Sequence, residues 1–149
     1  MKEIMTSKTE KPQNIRENNQ KVLAHYLYKN GPTSRAKLSS VFNLSLPSVY
    51  KNINQLVEQN VVLELGEGDS EGGRKPMLVG FNYNMGYMVS VDLKGEHLKI
   101  ALANLALDII GKEEMFTLNY ENSLALFDAI IESIKNLLNQ NEIHHHYLK

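Results

Sequence analysis

The chain has 149 residues, 42% of them hydrophobic, and a formal net charge of −1 at pH 7; that length allows one ordinary domain, or one small domain with part of another. It has no cysteine, which excludes disulfides and thiolate zinc sites within the chain and agrees with a reducing cytosol. No apolar run is long enough to cross a membrane and Met1–Gln13 is too polar for a signal peptide, so a soluble, cytoplasmic protein is expected.

Residues 1–13 are polar and charged and read as a mobile tail, in which Lys8 and Lys11 are better taken as solvated than as contacts to nucleic acid. Asn14 to Lys29 then sets Ile15, Val22, Leu23, Tyr26 and Leu27 on one helical face, the pattern of a helix that packs. His25 lies beside that face as a boundary residue. Gly31-Pro32-Thr33 breaks the chain, and Ser34 can cap a second helix to about Val41, with Ala36, Leu38, Val41 and Phe42 inward. Ser34, Arg35 and Lys37 fall at its exposed N-terminal end.

Asn43-Leu44-Ser45 makes a tight turn, and Pro47 suits the first turn of a third helix. From Val49 the apolar residues recur at Ile53, Leu56 and Val57, while the other side carries Ser48, Tyr50, Lys51 and Asn54. A short helix, a turn and a second helix make a helix-turn-helix, whose first helix crosses a phosphate backbone and whose second enters the major groove. Ser34 and Arg35 are therefore candidate phosphate contacts, Ser34 while also capping; the plainer reading of Arg35 is solvation. Ser45, Pro47 and Ser48 would enter the groove first, Ser48 being short enough to let the backbone approach. Lys51 could reach a guanine edge or a phosphate, and Tyr50 could stack on a sugar or pack on a thymine methyl. Asn52 and Asn54 stand open between base contact and solvation.

Val61 to Leu65 and Met77 to Phe81 are apolar runs around a glycine-rich tip, Gly66 to Lys75, which is the pattern of a hairpin, and a hairpin after a helix-turn-helix is a wing. Residues 1–60 hold 9 Lys and Arg against 4 Asp and Glu, residues 1–81 hold 11 against 8, and residues 82–149 hold 5 against 9. The basic excess lies where phosphate is expected, but the tip itself is acidic through Glu67, Asp69 and Glu71. The expected arrangement keeps that tip off the backbone: Gly72 and Gly73 bend the chain, Arg74 enters a narrow minor groove, and Lys75 follows it.

Asn82 to Gly86 reads as a linker, followed by strands at Tyr87–Leu93, Leu98–Leu105 and Ile109–Thr117. A helix from about Ser123 to Gln140 follows, with Leu124, Phe127, Ile131, Ile134 and Leu138 inward. The chain is thus α+β, with a winged helix-turn-helix at 14–82 and a β-β-β-α unit at 87–149. His144-His145-His146 reads as a solvated tail rather than a metal site, and no cofactor is expected.

GPTSRAKL, then NLSLPSVYKNINQLVEQNVV, then EGGRKPMLVGFN together resemble the N-terminal winged-helix module of ROK-family transcriptional regulators, sugar-responsive repressors related to sugar kinases. The expected type is a xylose or N-acetylglucosamine repressor. The resemblance runs from about Asn18 to Thr117 and implies that the last unit is the start of an actin-like, ribonuclease-H-like sugar-kinase domain. It also implies minor-groove use of the arginine in Gly72-Gly73-Arg74, and operator DNA and a second copy of the chain as partners. The kinases of the family carry Asp-x-Gly-Gly-Thr in their first hairpin; here Asp92-Leu93-Lys94-Gly95-Glu96 keeps only the aspartate and one glycine, so Asp92 is expected as a turn residue and the chain as a non-enzyme. With most of that domain's length missing, the chain is expected to be a fragment of a longer repressor or a truncated regulator, sensing sugar only in a full-length form and pairing through its last helix and unfinished sheet. A degenerate sugar-kinase remnant and a protein-interaction winged helix are the alternatives.

Overall fold

Residues 12–69 and 75–143 are described by the computed structural model, in two units that divide between Asn82 and Tyr83. Lys8, Lys11, Gly72, Gly73, Arg74 and His144-His145-His146 lie outside the described residues.

The first unit opens with α1 (Pro12–Asn30), two residues earlier than read from the sequence. It closes where Gly31 takes φ +77° and its N–H bonds to the Leu27 carbonyl at 3.0 Å, a left-handed cap that suits glycine. Leu23 and Leu27 are buried, but Ile15, expected inward, is exposed beside a surface cleft. Next come a two-residue strand, β1 (Thr33–Ser34), and α2 (Arg35–Phe42). Ser34 Oγ caps α2 by accepting from the Lys37 N–H at 3.2 Å, and Asn43 ends it in the left-handed conformation at φ 51°. Ala36 and Val41 were expected inward and are exposed: the buried stripe is Arg35 and Leu38, with Phe42 half-buried one turn on. Arg35 takes the place expected of Ala36 on the inward face and is paired there with the half-exposed Glu64.

Helix α3 (Leu46–Glu58) is capped by Ser45 Oγ and carries Pro47 in its first turn. Its buried side is Val49, Ile53 and Leu56 together with Asn52, which was expected to be solvated if it met no base. Burial is tolerated there because the Asn52 amide donates to the Ser48 carbonyl at 2.8 Å. β2 (Val62–Glu67) and β3 (Met77–Phe81) form the expected hairpin. β1, which the sequence did not reveal, adds to the free side of β3 and gives an antiparallel sheet ordered β1-β3-β2, with Thr33 opposite Val79 and Val62 opposite Phe81. The core gathers Leu23, Leu27, Leu38, Val49, Ile53, Leu56, Val62 and Val79. Asn82, assigned to a linker, is buried and donates through Nδ2 to the Asn60 carbonyl at 2.9 Å, so it closes this unit.

In the second unit a 3-10 turn, Tyr83–Met85, leads to β4 (Tyr87–Lys94), β5 (His97–Asn104) and β6 (Ile109–Phe116), and a second, Thr117–Asn119, to α4 (Ser123–Gln140); the strands and α4 lie within one residue of the ranges read from the sequence. The sheet is antiparallel in the order β4-β5-β6. Asp92 is not in a turn: it lies in β4 opposite Lys99, and the turn is made at Gly95, where φ is +60°. Ile100 and Leu102 of β5 pack with Leu137, Leu138 and Ile143, flanked by Tyr87, Val89, Met115, Ile130 and Ile134. Leu124, Phe127 and Ile131, expected inward, are 71%, 62% and 50% exposed. Farther along the same stripe Ile134 and Leu138 are covered, Ser133 bonds to Glu113 of β6 and the Leu137 side chain closes on Gly111, so it is the C-terminal half of α4 that packs on the sheet. Among the described residues, no helix is long and apolar enough to cross a membrane.

Candidate nucleic-acid interface

Helix α3 presents the candidate residues because its apolar positions fix its rotation. With Val49, Ile53 and Leu56 held in the core, the residues between them on the wheel must face out. Tyr50, Lys51 and Asn54 are exposed, as are Ser45 and Pro47 at the helix start, while Ser48 is half-buried. Leu46 is exposed too; it stands four residues before Tyr50 and eight before Asn54, so the three form one row along the helix. That spacing is visible in the sequence, four residues from Leu46 to Tyr50 and four more to Asn54.

A cleft opens on each side of α3. One, of about 340 Å³, is lined by Ser34, Arg35, Leu46, Tyr50, Lys75 and Met77, among others, and so joins the start of α2, the outward row of α3 and the end of the β2–β3 hairpin. The other, of about 630 Å³, lies between α1 and α3 and is lined by Arg16, Ser48, Lys51, Gln55 and neighbouring polar residues. Gln20 Nε2 donates to Gln55 Oε1 at 2.8 Å across this second cleft. Ser34, Arg35, Tyr50 and Lys75 are therefore brought together, Ser48 and Lys51 face the opposite cleft, and Ser45 and Pro47 mark the helix end between them. The Ser34 and Ser45 hydroxyls both accept backbone N–H groups as caps, at 3.2 and 3.4 Å. Gly73 and Arg74, also candidates, lie outside the described residues.

Arg35 requires a correction. It was placed at an exposed helix end, free to meet phosphate, but its side chain is 7% exposed and its Nη2 lies 2.5 Å from Glu64 Oε1. The same nitrogen approaches Asn54 Oδ1 at 3.4 Å, and the guanidinium carbon sits 5.1 Å from the centre of the Tyr50 ring. Its charge is matched within the unit. Glu64 is the partner that sequence reasoning missed. The signal was there in the strand alternation, since Glu64 shares the face of Val62, whose side chain is in the core. Among the described residues, no three His, Asp or Glu side chains converge as a metal site.

No family model matches the chain. The sequence is 38% identical to the xylose repressor of Bacillus spizizenii over 96 residues, which are 64% of this chain and 25% of that protein. It is 37% identical to the xylose repressor of Bacillus subtilis over 91 residues, 61% of this chain and 24% of that one, and 30% identical to the xylose repressor of Staphylococcus xylosus over 130 residues, 86% and 32%. The chain thus spans about a quarter of the length of the first of these relatives. A solved ROK family transcriptional regulator, described as a homologue of the E. coli MLC protein, superposes with a TM-score of 0.57 over 91% of this chain and 34% of its own, at 19% identity, a likeness of fold. All these relatives are named as repressors or regulators and not as enzymes. By sequence the chain is similar to xylose repressors, and by fold to a ROK family transcriptional regulator.

Proposed function

We propose that this chain is the DNA-binding part of a sequence-specific transcriptional repressor of sugar-utilisation genes, xylose genes first among them. Residues 14–82 act as a winged helix-turn-helix, with α3 as the recognition helix and the β2–β3 hairpin as the wing. One observation carries this reading: α3 exposes Tyr50, Lys51 and Asn54 in a polar surface with a cleft on either side, and Lys75 of the hairpin borders one of those clefts. Such a ridge suits a major groove, with Lys51 at a guanine edge or phosphate, Tyr50 against a thymine methyl or sugar, and Asn54 at a base edge. Gly73 and Arg74 follow from the sequence as the minor-groove element; the Ser34 and Ser45 hydroxyls already take up the Lys37 and Ser48 N–H groups, so phosphate is left the uncapped N–H groups of the two first turns. Residues 87–149 are proposed as the opening of an actin-like effector domain, responding to sugar only in a form that carries more of that domain. The regulator works in the cytoplasm as a homodimer on a pseudo-palindromic operator.

Selection of bound duplexes from a random DNA pool tests this. A recurring half-site is expected, repeated with two-fold symmetry. For about six phosphate contacts, affinity should fall roughly 10³-fold between 50 and 200 mM salt, whereas a protein-binding helix would barely respond. Failure to enrich any sequence would remove the reading.

A further inference from the structure

We infer, resting on that DNA-binding reading, that Arg35 is a positioning residue. Neutralised by Glu64, it holds Tyr50 and Asn54 on the outward row of α3 and turns the Asn54 amide so that its N–H groups face the DNA.

The guanidinium has donors and no acceptor, so the atom of Asn54 that meets Arg35 Nη2 at 3.4 Å is the amide oxygen by chemistry as well as by placement. The NH₂ group is thereby aimed away from Arg35. Tyr50 and Asn54 are one turn apart, and one planar cation reaches both, the amide by its edge and the ring at 5.1 Å from the centroid. Glu64 Oε1, at 2.5 Å, supplies the charge that a phosphate would otherwise supply. Arg35 Nε is buried with no hydrogen-bond partner, so within the unit the guanidinium acts through Nη2 and its planar face.

This assigns a kind of base to Asn54. An asparagine that reads adenine uses its oxygen and its nitrogen together. With its oxygen turned to Arg35, Asn54 presents its NH₂ group and favours acceptor edges, guanine N7 and O6, thymine O4 or adenine N7 alone, over the paired adenine contact. Arg35 then acts on sequence preference through Asn54 and Tyr50 and contributes little to the count of phosphates neutralised. The acid in β2, out of place beside DNA by charge alone, is what keeps Arg35 from being a phosphate contact.

The test uses the full chain and the duplex recovered by selection, together with duplexes altered one base pair at a time, titrated from 50 to 200 mM salt. Arg35→Ala should lower discrimination about 10-fold at the base pair facing Asn54 and leave the slope of log K against log salt unchanged. Arg35→Lys keeps the charge but lacks the planar fork, and it should not restore discrimination. Glu64→Gln, a near-isosteric change at a half-exposed side chain that keeps an acceptor for Arg35 Nη2, should also lose discrimination, with hydrogen-exchange protection of α3 checking that the fold is kept. The inference is overturned if Arg35→Ala makes the slope shallower by about 0.9 and Arg35→Lys restores it, for then Arg35 holds a phosphate. It is equally overturned if Glu64→Gln discriminates as the unaltered chain does. Absence of duplex binding by the unaltered chain removes the parent reading instead, and is recognised before any variant is made.

Discussion

Lys51 stands exposed on α3, whereas Arg35 is closed in by Glu64, Asn54 and Tyr50. An arginine so enclosed sheds most of its water, and that cost is offset only by a close partner; a lysine in solvent keeps its charge for a ligand. Lys51→Ala is therefore expected to weaken binding to the selected duplex by about 1–3 kcal/mol with relaxed preference at one base pair, if the lysine reads a guanine. An equal loss on every duplex, with a shallower salt slope, would reassign it to phosphate. Arg74 is argued from sequence alone, through the two glycines before it and the acidic tip that cannot itself approach phosphate. Narrow A·T-rich minor grooves concentrate negative potential, so Arg74→Ala should cost more on an A·T-flanked site than on a G·C-flanked one. Competition binding on the two flanks measures it, and equal losses would refute minor-groove insertion.

Local chemistry was legible and long-range covering was not, as the separate elements make plain. The caps at Ser34 and Ser45 could be read because a hydroxyl and an N–H three residues on meet whatever the rest of the chain does. The β4, β5, β6 and α4 ranges could be read from alternation and helical spacing in the same way. The two residues of β1 carry no signal of their own, since pairing with β3 across some 45 positions is what makes them a strand. The faces of α2 and α4 were misread for a related reason: apolar spacing marks a stripe, but a neighbour decides which edge of the stripe is covered. Leu124, Phe127 and Ile131 have the spacing of a core face and no sheet over them. The Arg35–Glu64 pair joins residues 29 apart: strand alternation puts Glu64 on the face of Val62, but no local pattern names Arg35 as its partner. Because the α3 cap is local, its removal has a local prediction. Ser45→Ala should lower stability by about 1 kcal/mol, as N-cap losses do, seen as a lower urea midpoint at unchanged slope. No change in midpoint would mean that the hydroxyl, at 3.4 Å from the Ser48 nitrogen, contributes nothing as a cap.

At the scale of the whole molecule, the two hydrophobic clusters share no residue: one is built around Leu23, Leu27, Ile53 and Val79, the other around Ile100, Leu102, Leu137 and Leu138. Each unit is small, and small units bury a modest fraction of their surface, so the loss of one core side chain, about 2–5 kcal/mol, is a large share of what holds either together. Ile53→Ala should therefore strip hydrogen-exchange protection from α1, α3 and β3, and Leu138→Ala from β5 and α4. The proposed function gives these two losses different consequences. Base reading is assigned to the first unit, so Ile53→Ala should abolish binding to any duplex. If the second unit serves only to pair two copies, Leu138→Ala should leave binding to a single half-site as it was and weaken binding to the paired site, because two linked binding events become two separate ones. Equal weakening on single and paired half-sites would place part of the reading surface, or the support it needs, beyond residues 14–82.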